Sequence, residues 1–199
     1  MAKEFNSAVQ ERRSFYGISK EIVISDEQIK EIVTHAVTYA PSAFNSQSAR
    51  VIVLLGEQHD KLWEITKNAL KKIVPSDQFS ATEDKINSFK SGYGSVLYFE
   101  DQTVVQELQS KFALYKDNFP IWSQQSSGML QFVVWTALEA AGLGASLQHY
   151  GPLIEAEVRK TWQVPDTWQL IAQMPFGKPT ATPDAKQIQP LEQRLKFFK

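Results

Sequence analysis

From Asn118 to Leu138 the chain carries no charged residue. A run of that length is long enough to cross a bilayer. Pro120, Gln124, Gln125, Gln131, Ser123, Ser126 and Ser127 interrupt it, however, and a lipid-facing helix has no partners for such groups. The better fit is a helix of about 20 residues, buried nearly all round. One subunit of 199 residues rarely encloses such a helix by itself. The segment therefore points to an interface between two copies of the chain.

Hydrophobic residues make up 43% and charged residues 22%. These values argue against a disordered chain and fit a single domain over residues 1–199. The 21 Lys and Arg nearly balance the 22 Asp and Glu, for a net charge of -1. No surplus is left to hold nucleic acid or an anionic membrane, and neither partner is expected. Cysteine is absent, which removes disulfides, thiolate nucleophiles and Cys-ligated metal centres. His35, His59 and His149 stand far apart with no HExxH, so no metal site is expected. Residues 1–5 show neither an apolar signal core nor an Arg-rich presequence, so a cytoplasmic location is expected.

Hydrophobic spacing predicts a helix over residues 2–11, and Ile22–Ile24 reads as a brief extended piece. Ser25 and Gln28 form a capping-box pattern ahead of a helix that Pro41 ends. Val51–Leu55 reads as a buried strand and residues 57–73 as a helix. A short helix fits inside the polar stretch 75–94. Val96–Phe99 reads as a second strand, followed by a helix through Val104, Leu108 and Tyr115. Gly142-Leu143-Gly144 closes the uncharged helix, with a strand over Ala145–Gln148 behind it, and Pro152 together with Glu155–Trp162 predicts a further helix. Trp168–Met174 is the third long strand, and the apolar end Gln193–Lys199 calls for a surface to pack on. This order predicts an α+β fold, a small sheet flanked by long helices.

Three segments carry candidate chemistry. The adjacent guanidiniums of Arg12 and Arg13, with Ser14, either face an anion bidentately or form a solvated basic helix end. The loop Ser42-Ala43-Phe44-Asn45-Ser46-Gln47 either reads a polar heterocycle or satisfies its own backbone. The glycines of Gly142-Leu143-Gly144 permit close backbone approach, but no GxGxxG fingerprint is present. Glu83-Asp84 and Glu100-Asp101 read as acidic caps at helix starts rather than acid–base pairs. The five tryptophans read as core or interface.

Taken in order, Arg12-Arg13-Ser14, the stretch Ala40–Arg50 and Gly142-Leu143-Gly144 after the long helix resemble the FMN-dependent nitroreductases. Tyr39–Arg50, Ser146–Tyr150 and Pro190–Arg194 are most similar to the short nitroreductase-like, fatty-acid-repression-type subgroup. The resemblance covers essentially the whole chain. It implies an intertwined α+β homodimer with two FMN sites at the subunit interface, and a small antiparallel or mixed sheet. It also implies reduction of FMN by NADH or NADPH, then of a nitroaromatic compound or quinone in the same place, by a ping-pong mechanism. The alternative it leaves is a flavin-binding regulatory or stress-response protein with incidental turnover.

By the same resemblance, Arg12 faces the FMN phosphate with Arg13 beside it, and Ser14 lies near the ring edge or ribityl chain. Ser42, Asn45 and Gln47 belong to the loop that reaches the flavin from the other subunit. Asn68 matches a ring-contacting amide. Leu147, Gln148 and His149 run beside the isoalloxazine. Lys186 matches a C-terminal phosphate-binding lysine, and Arg194 can supply the same charge. Two positions depart from the family pattern: Ile188 stands where an arginine is common, and His149 replaces an acidic residue. No side chain is expected to act as an acid–base catalyst, because the flavin carries the hydride.

Overall fold

The computed structural model describes residues 3–199. Its helices are α1 (Phe5–Glu11), α2 (Asp26–Tyr39), α3 (Glu57–Leu70), α4 (Phe79–Lys90), α5 (Gln102–Lys111), α6 (Phe119–Ala140) and α7 (Gly151–Trp162). Its strands are β1 (Ile18–Ser19), β2 (Ala49–Leu55), β3 (Gly94–Asp101), β4 (Gly144–Ala145) and β5 (Trp168–Pro179). The strands form one sheet in the order β1-β5-β3-β2, with β4 also on β5, and every ladder is antiparallel. The fold is α+β, as the order of elements predicts.

Alternation along the strands feeds two cores. Val96 and Tyr98 of β3, with Ala172, Met174 and Phe176 of β5, pack against Ile29 and Val33 of α2 and Leu130, Val134 and Leu138 of α6. Leu97 and Phe99 point the other way, among Leu62 and Trp63 of α3, Phe89 of α4 and Ile154 of α7. Each such side chain removed from water contributes about 1.5–3 kcal/mol. The helix ends follow local chemistry. Ser25 Oγ accepts from Gln28 N, and the Gln28 side chain accepts from Ser25 N, completing the capping box. Gly142 takes a φ of 86°, left-handed backbone that lets the chain leave α6.

Several elements differ from the sequence expectation. Ile22–Ile24 forms no strand, and Ile22 and Val23 stay exposed. The strand lies earlier, where Ile18 and Ser19 pair with Pro179 and Lys178; a two-residue strand defined only by a distant partner leaves no local pattern. Helix α1 begins at Phe5, and Ala2 of the expected helix lies outside the described residues. Helix α3 stops at Leu70 because Ile73 meets no core and is exposed. Helix α7 starts at Gly151, one residue before Pro152, which sits in its first turn, where a missing N–H costs nothing. The strand expected over Ala145–Gln148 shrinks to β4 plus an isolated bridge at Gln148. No helix among the described residues is long and apolar enough to cross a membrane.

Candidate functional site

Two backbone strips meet at one end of β5. After α1 the chain runs extended through Arg13–Gly17 beside β4. Phe15 N donates to Ala145 O at 2.9 Å, and Thr180 N donates to Gly17 O at 2.9 Å. Side chains alternate along such a strip. Ser14 and Tyr16 are accordingly exposed, while Phe15 turns inward across Gly144. A Cβ on Gly144 would lie 2.8 Å from Phe15, so this crossing requires glycine. Arg13, Ser14, Tyr16, Gly17, Thr182 and Asp184 line a cleft of ≈ 410 Å³. Arg13 Nη2 donates to Asp184 O at 2.7 Å.

Arg12 sits where the strip leaves α1. Its guanidinium carbon lies 4.3 Å from the Trp135 ring centroid, and its Nε is buried with no hydrogen-bond partner. Burial, then the Arg13 charge, lower its pKa, and Glu139 opposes them. An arginine remains cationic through such a shift. Glu139 itself pairs with Lys3 at 2.7 Å.

The second strip, residues 144–150, hangs on β5 by backbone bonds. Gln148 N donates to Gln173 O at 2.7 Å, and Gln173 N returns a bond to Gln148 O at 2.9 Å. Gln148 Nε2 donates to Ser146 Oγ at 3.1 Å, and Tyr150 N donates to Gln173 Oε1 at 2.7 Å. Gln148 is buried, Leu147 half-buried and His149 exposed. The fold thus brings Arg12, Arg13 and Ser14 alongside the segment that holds Leu147, Gln148 and His149.

The loop 42–47 lies elsewhere. It leads into β2, whose Ala49 pairs with Glu100 near the end of β3, whereas the first strip and β4 join β5 at residues that face the start of β3, and Gln148 meets β5 at Gln173, opposite Leu97 in mid-strand. β3 is 8 residues long, so about 20 Å of strand separates the two ends. Phe44, Asn45 and Gln47 have φ of 56°, 51° and 48°. Left-handed backbone costs a non-glycine residue about 1 kcal/mol or more. Ser42 Oγ accepts from Gln47 N at 3.0 Å, so this hydroxyl serves the loop itself. Phe44 stacks on Trp122 at 5.9 Å and 18°, in a cluster with Phe112, Tyr115 and Phe119. Asn45 and Gln47 are exposed.

The remaining candidates scatter. Asn68 is exposed on α3, apart from both strips. Lys186 and Arg194 are exposed in the tail beyond β5, Lys186 two residues past the Asp184 carbonyl that Arg13 holds.

Sequence reasoning missed three residues here. Tyr16 shares the exposed side of its strip with Ser14, and the i, i+2 spacing signals this. Gln173 is fully buried mid-strand with Nε2 unpartnered, and its neighbours give no hint of that. Glu100 corrects an expectation: only Asp101 caps a helix, accepting from Thr103 N. Glu100 is fully buried in β3, with Oε2 accepting from Ser48 Oγ at 2.6 Å and Oε1 unpartnered. Burial pushes its pKa up to about 7. Glu83 and Asp84 also fall inside α4 rather than at a helix start.

Known proteins share this architecture. In Saccharomyces cerevisiae, HBN1 is 34% identical over 177 residues, 88% of each chain. The nitroreductase FRM2 of the same yeast is 31% identical over 182 residues, 90% of each. The structure of nitroreductase CinD from Lactococcus lactis, in complex with nicotinic acid, superposes with a TM-score of 0.91 at 42% identity, covering 98% of this chain and 100% of that one. CinD has also been solved with chloramphenicol and with 4-nitrophenol. A sequence model described as the nitroreductase family matches residues 9–178, and the chain belongs to that family.

Proposed function

We propose that this chain is an FMN-dependent NAD(P)H oxidoreductase that reduces nitroaromatic compounds or quinones. The observation that carries the reading is the meeting of the Arg12–Ser14 strip with residues 144–149 on β5. A half-buried guanidinium whose enclosed Nε is unpartnered, beside a second guanidinium, suits a phosphate dianion. When bound, FMN supplies hydride transfer from the nicotinamide to the acceptor. Arg12 and Arg13 hold the phosphate, and Ser14 donates to the ribityl chain or ring edge. Leu147 and the peptide backbone through Gln148 and His149 lie along the ring. Lys186 adds charge at the phosphate, with Arg194 as a second source, since Ile188 offers none.

A second copy completes the site. Ser42, Asn45 and Gln47 sit at the far end of the sheet from Arg12, so a partner chain must bring its own loop. The uncharged α6 offers the contact. Ile121, Met129 and Phe132 are exposed along it, and Phe5, Met129, Phe132 and Val133 line an apolar groove of ≈ 480 Å³. A continuous apolar face of this kind marks a protein interface. In the tail, Leu195, Phe197 and Phe198 are exposed and pack on the partner. The CinD complexes support a pocket open to flat aromatic molecules, and nicotinic acid shares its ring with the nicotinamide reductant. One pocket serving reductant and acceptor in turn gives ping-pong kinetics.

The test is the absorption spectrum of the purified protein, with chromatography of the chromophore released by heat, followed by NADH and NADPH oxidation with 4-nitrophenol or a quinone. FMN near one per chain, with turnover, is expected. Arg12→Ala should weaken FMN retention about 10- to 150-fold, the loss of one charge-assisted contact. A protein that takes up no FMN refutes the reading, and unchanged retention in Arg12→Ala refutes the phosphate assignment.

A further inference from the structure

We propose that Glu100 is a positioning residue: through Ser48, its buried carboxyl holds the loop 42–47 in the left-handed form that presents Asn45 and Gln47. The consequence for activity rests on the reading above that Asn45 and Gln47 meet the flavin, while the tether itself stands on geometry.

The loop needs a tether. Phe44, Asn45 and Gln47 occupy a backbone region that non-glycine residues leave when nothing holds them. Two adjacent carboxylates at the end of β3 supply it. Asp101 Oδ2 accepts from Arg50 Nη2 at 3.0 Å, and Arg50 Nη1 donates to Gln47 O at 2.7 Å. Asp101 N donates to Ser48 O at 2.9 Å. Glu100 Oε2 takes the Ser48 hydroxyl at 2.6 Å.

Of the two acids, Asp101 has a cationic partner and Glu100 has none. Arg50 is spent on Asp101 and on the carbonyls of Gln47 and Ala49. Arg50 on β2 and Asp101 on the same strand are the charged groups that act on Glu100. Helices α5 and α6 present Val105, Leu108, Phe119, Trp122 and Ser123 to the small void beneath the loop, all uncharged. An ionised carboxylate there would enclose an unpaired oxygen, Oε1, whereas a neutral carboxyl would not carry that charge. Burial accordingly raises the pKa, against the Ser48 bond and the Arg50 charge and with the Asp101 charge. The tether is intact with the neutral acid. When Glu100 ionises, water must reach Oε1, and freeing the loop that Ser48 joins to the carboxyl admits it.

Hydrogen exchange of the full chain, read on the amides of residues 43–48 and normalised to intrinsic rates, tests this. In wild type the loop should exchange about tenfold faster at about pH 8.5 than at about pH 6, while β5 stays protected at both. Glu100→Gln keeps a neutral donor and acceptor, so its loop should be protected at both pH values. Ser48→Ala cuts the tether, so its loop should be fast at both. Equal protection of the wild-type loop at the two pH values overturns the proposal, as does a Glu100→Gln loop as fast as that of Ser48→Ala. Should Glu100→Gln fail to fold, the wild-type pH pair and Ser48→Ala still decide. Exchange needs no flavin, so a protein that binds none would sink the functional reading and leave this one standing.

Discussion

On one face of the sheet α3, α4 and α7 close over Leu62, Trp63, Phe89 and Ile154, all essentially inaccessible to water. Their outer surfaces carry ion pairs: Lys90 and Lys67 with Glu64, and Glu155 with Arg159. On the other face α2 and α6 bury an equally apolar core, yet α6 turns Ile121, Met129 and Phe132 outward, and Lys3, paired with Glu139, is the one charged residue lining the groove at Met129 and Phe132. The first face is finished by its own chain. The second is finished only when something apolar covers it. The two faces therefore differ on the outer side of the helices, not the inner one.

The largest test of that contrast is Trp63→Ala. It should cost about 3–5 kcal/mol, the usual price of a large cavity in a closed core. Denaturant unfolding should show the same loss at every protein concentration, and a concentration-dependent loss would place Trp63 in an interface.

Next comes acid. His59 is fully buried on the closed face, its Nδ1 2.9 Å from Ser95 Oγ and its Nε2 3.2 Å from Lys90 O. Burial lowers its pKa to about 4 from an ordinary 6.5. The folded protein thus resists protonation, so His59's contribution is present above pH 6.5 and is lost as pH falls towards 4. The full shift is worth on the order of 3 kcal/mol. Glu100, on the open face, has the opposite slope. Its pKa is raised from 4.5 to about 7, so its contribution is present below 4.5 and lost as pH rises through 7. The two slopes oppose each other between these limits. Glu100→Gln should uncover the full His59 slope in unfolding free energies measured from pH 7 to 4. A variant with the wild-type profile would break the assignment of one group to each face.

The smallest effect on the single chain is expected from Phe132→Glu, which changes an exposed side chain and should alter chain stability by under about 1 kcal/mol. Sedimentation should nonetheless show it shifting mass from dimer to monomer. If wild type is itself monomeric, the open face needs another explanation.

Local chemistry was legible in the sequence, and distant partners were not. Ser25 and Gln28, Pro41 and the unbroken apolar run Val96–Phe99 of β3 act within a few residues, so their elements stand where expected. β1 depends on Lys178 and Pro179, and Glu100 on Ser48, more than fifty positions upstream; neither has a local signature. At the candidate site, Arg12, Arg13, Ser14 and Gln148 fall together because β4 and β5 hold both strips. Asn45 and Gln47 lie at the other end of β3 from Ser14 and β4, with Gln148 opposite mid-strand Leu97, and no pattern along the chain shows that separation. The left-handed φ of Phe44 was hidden too, because such conformations are normally announced by glycine.

β5 bears on how this protein is made. It pairs with β1, β3 and β4, yet it begins only at Trp168. On a ribosome, β2 and β3 emerge as a hairpin-like pair whose inner edge waits for a strand encoded some seventy residues later. Until then the nascent chain exposes an apolar β3 edge open to any extended segment nearby. Stalled or truncated products ending before residue 168 are the species most prone to aggregate, and cellular yield should depend on how quickly synthesis passes that point.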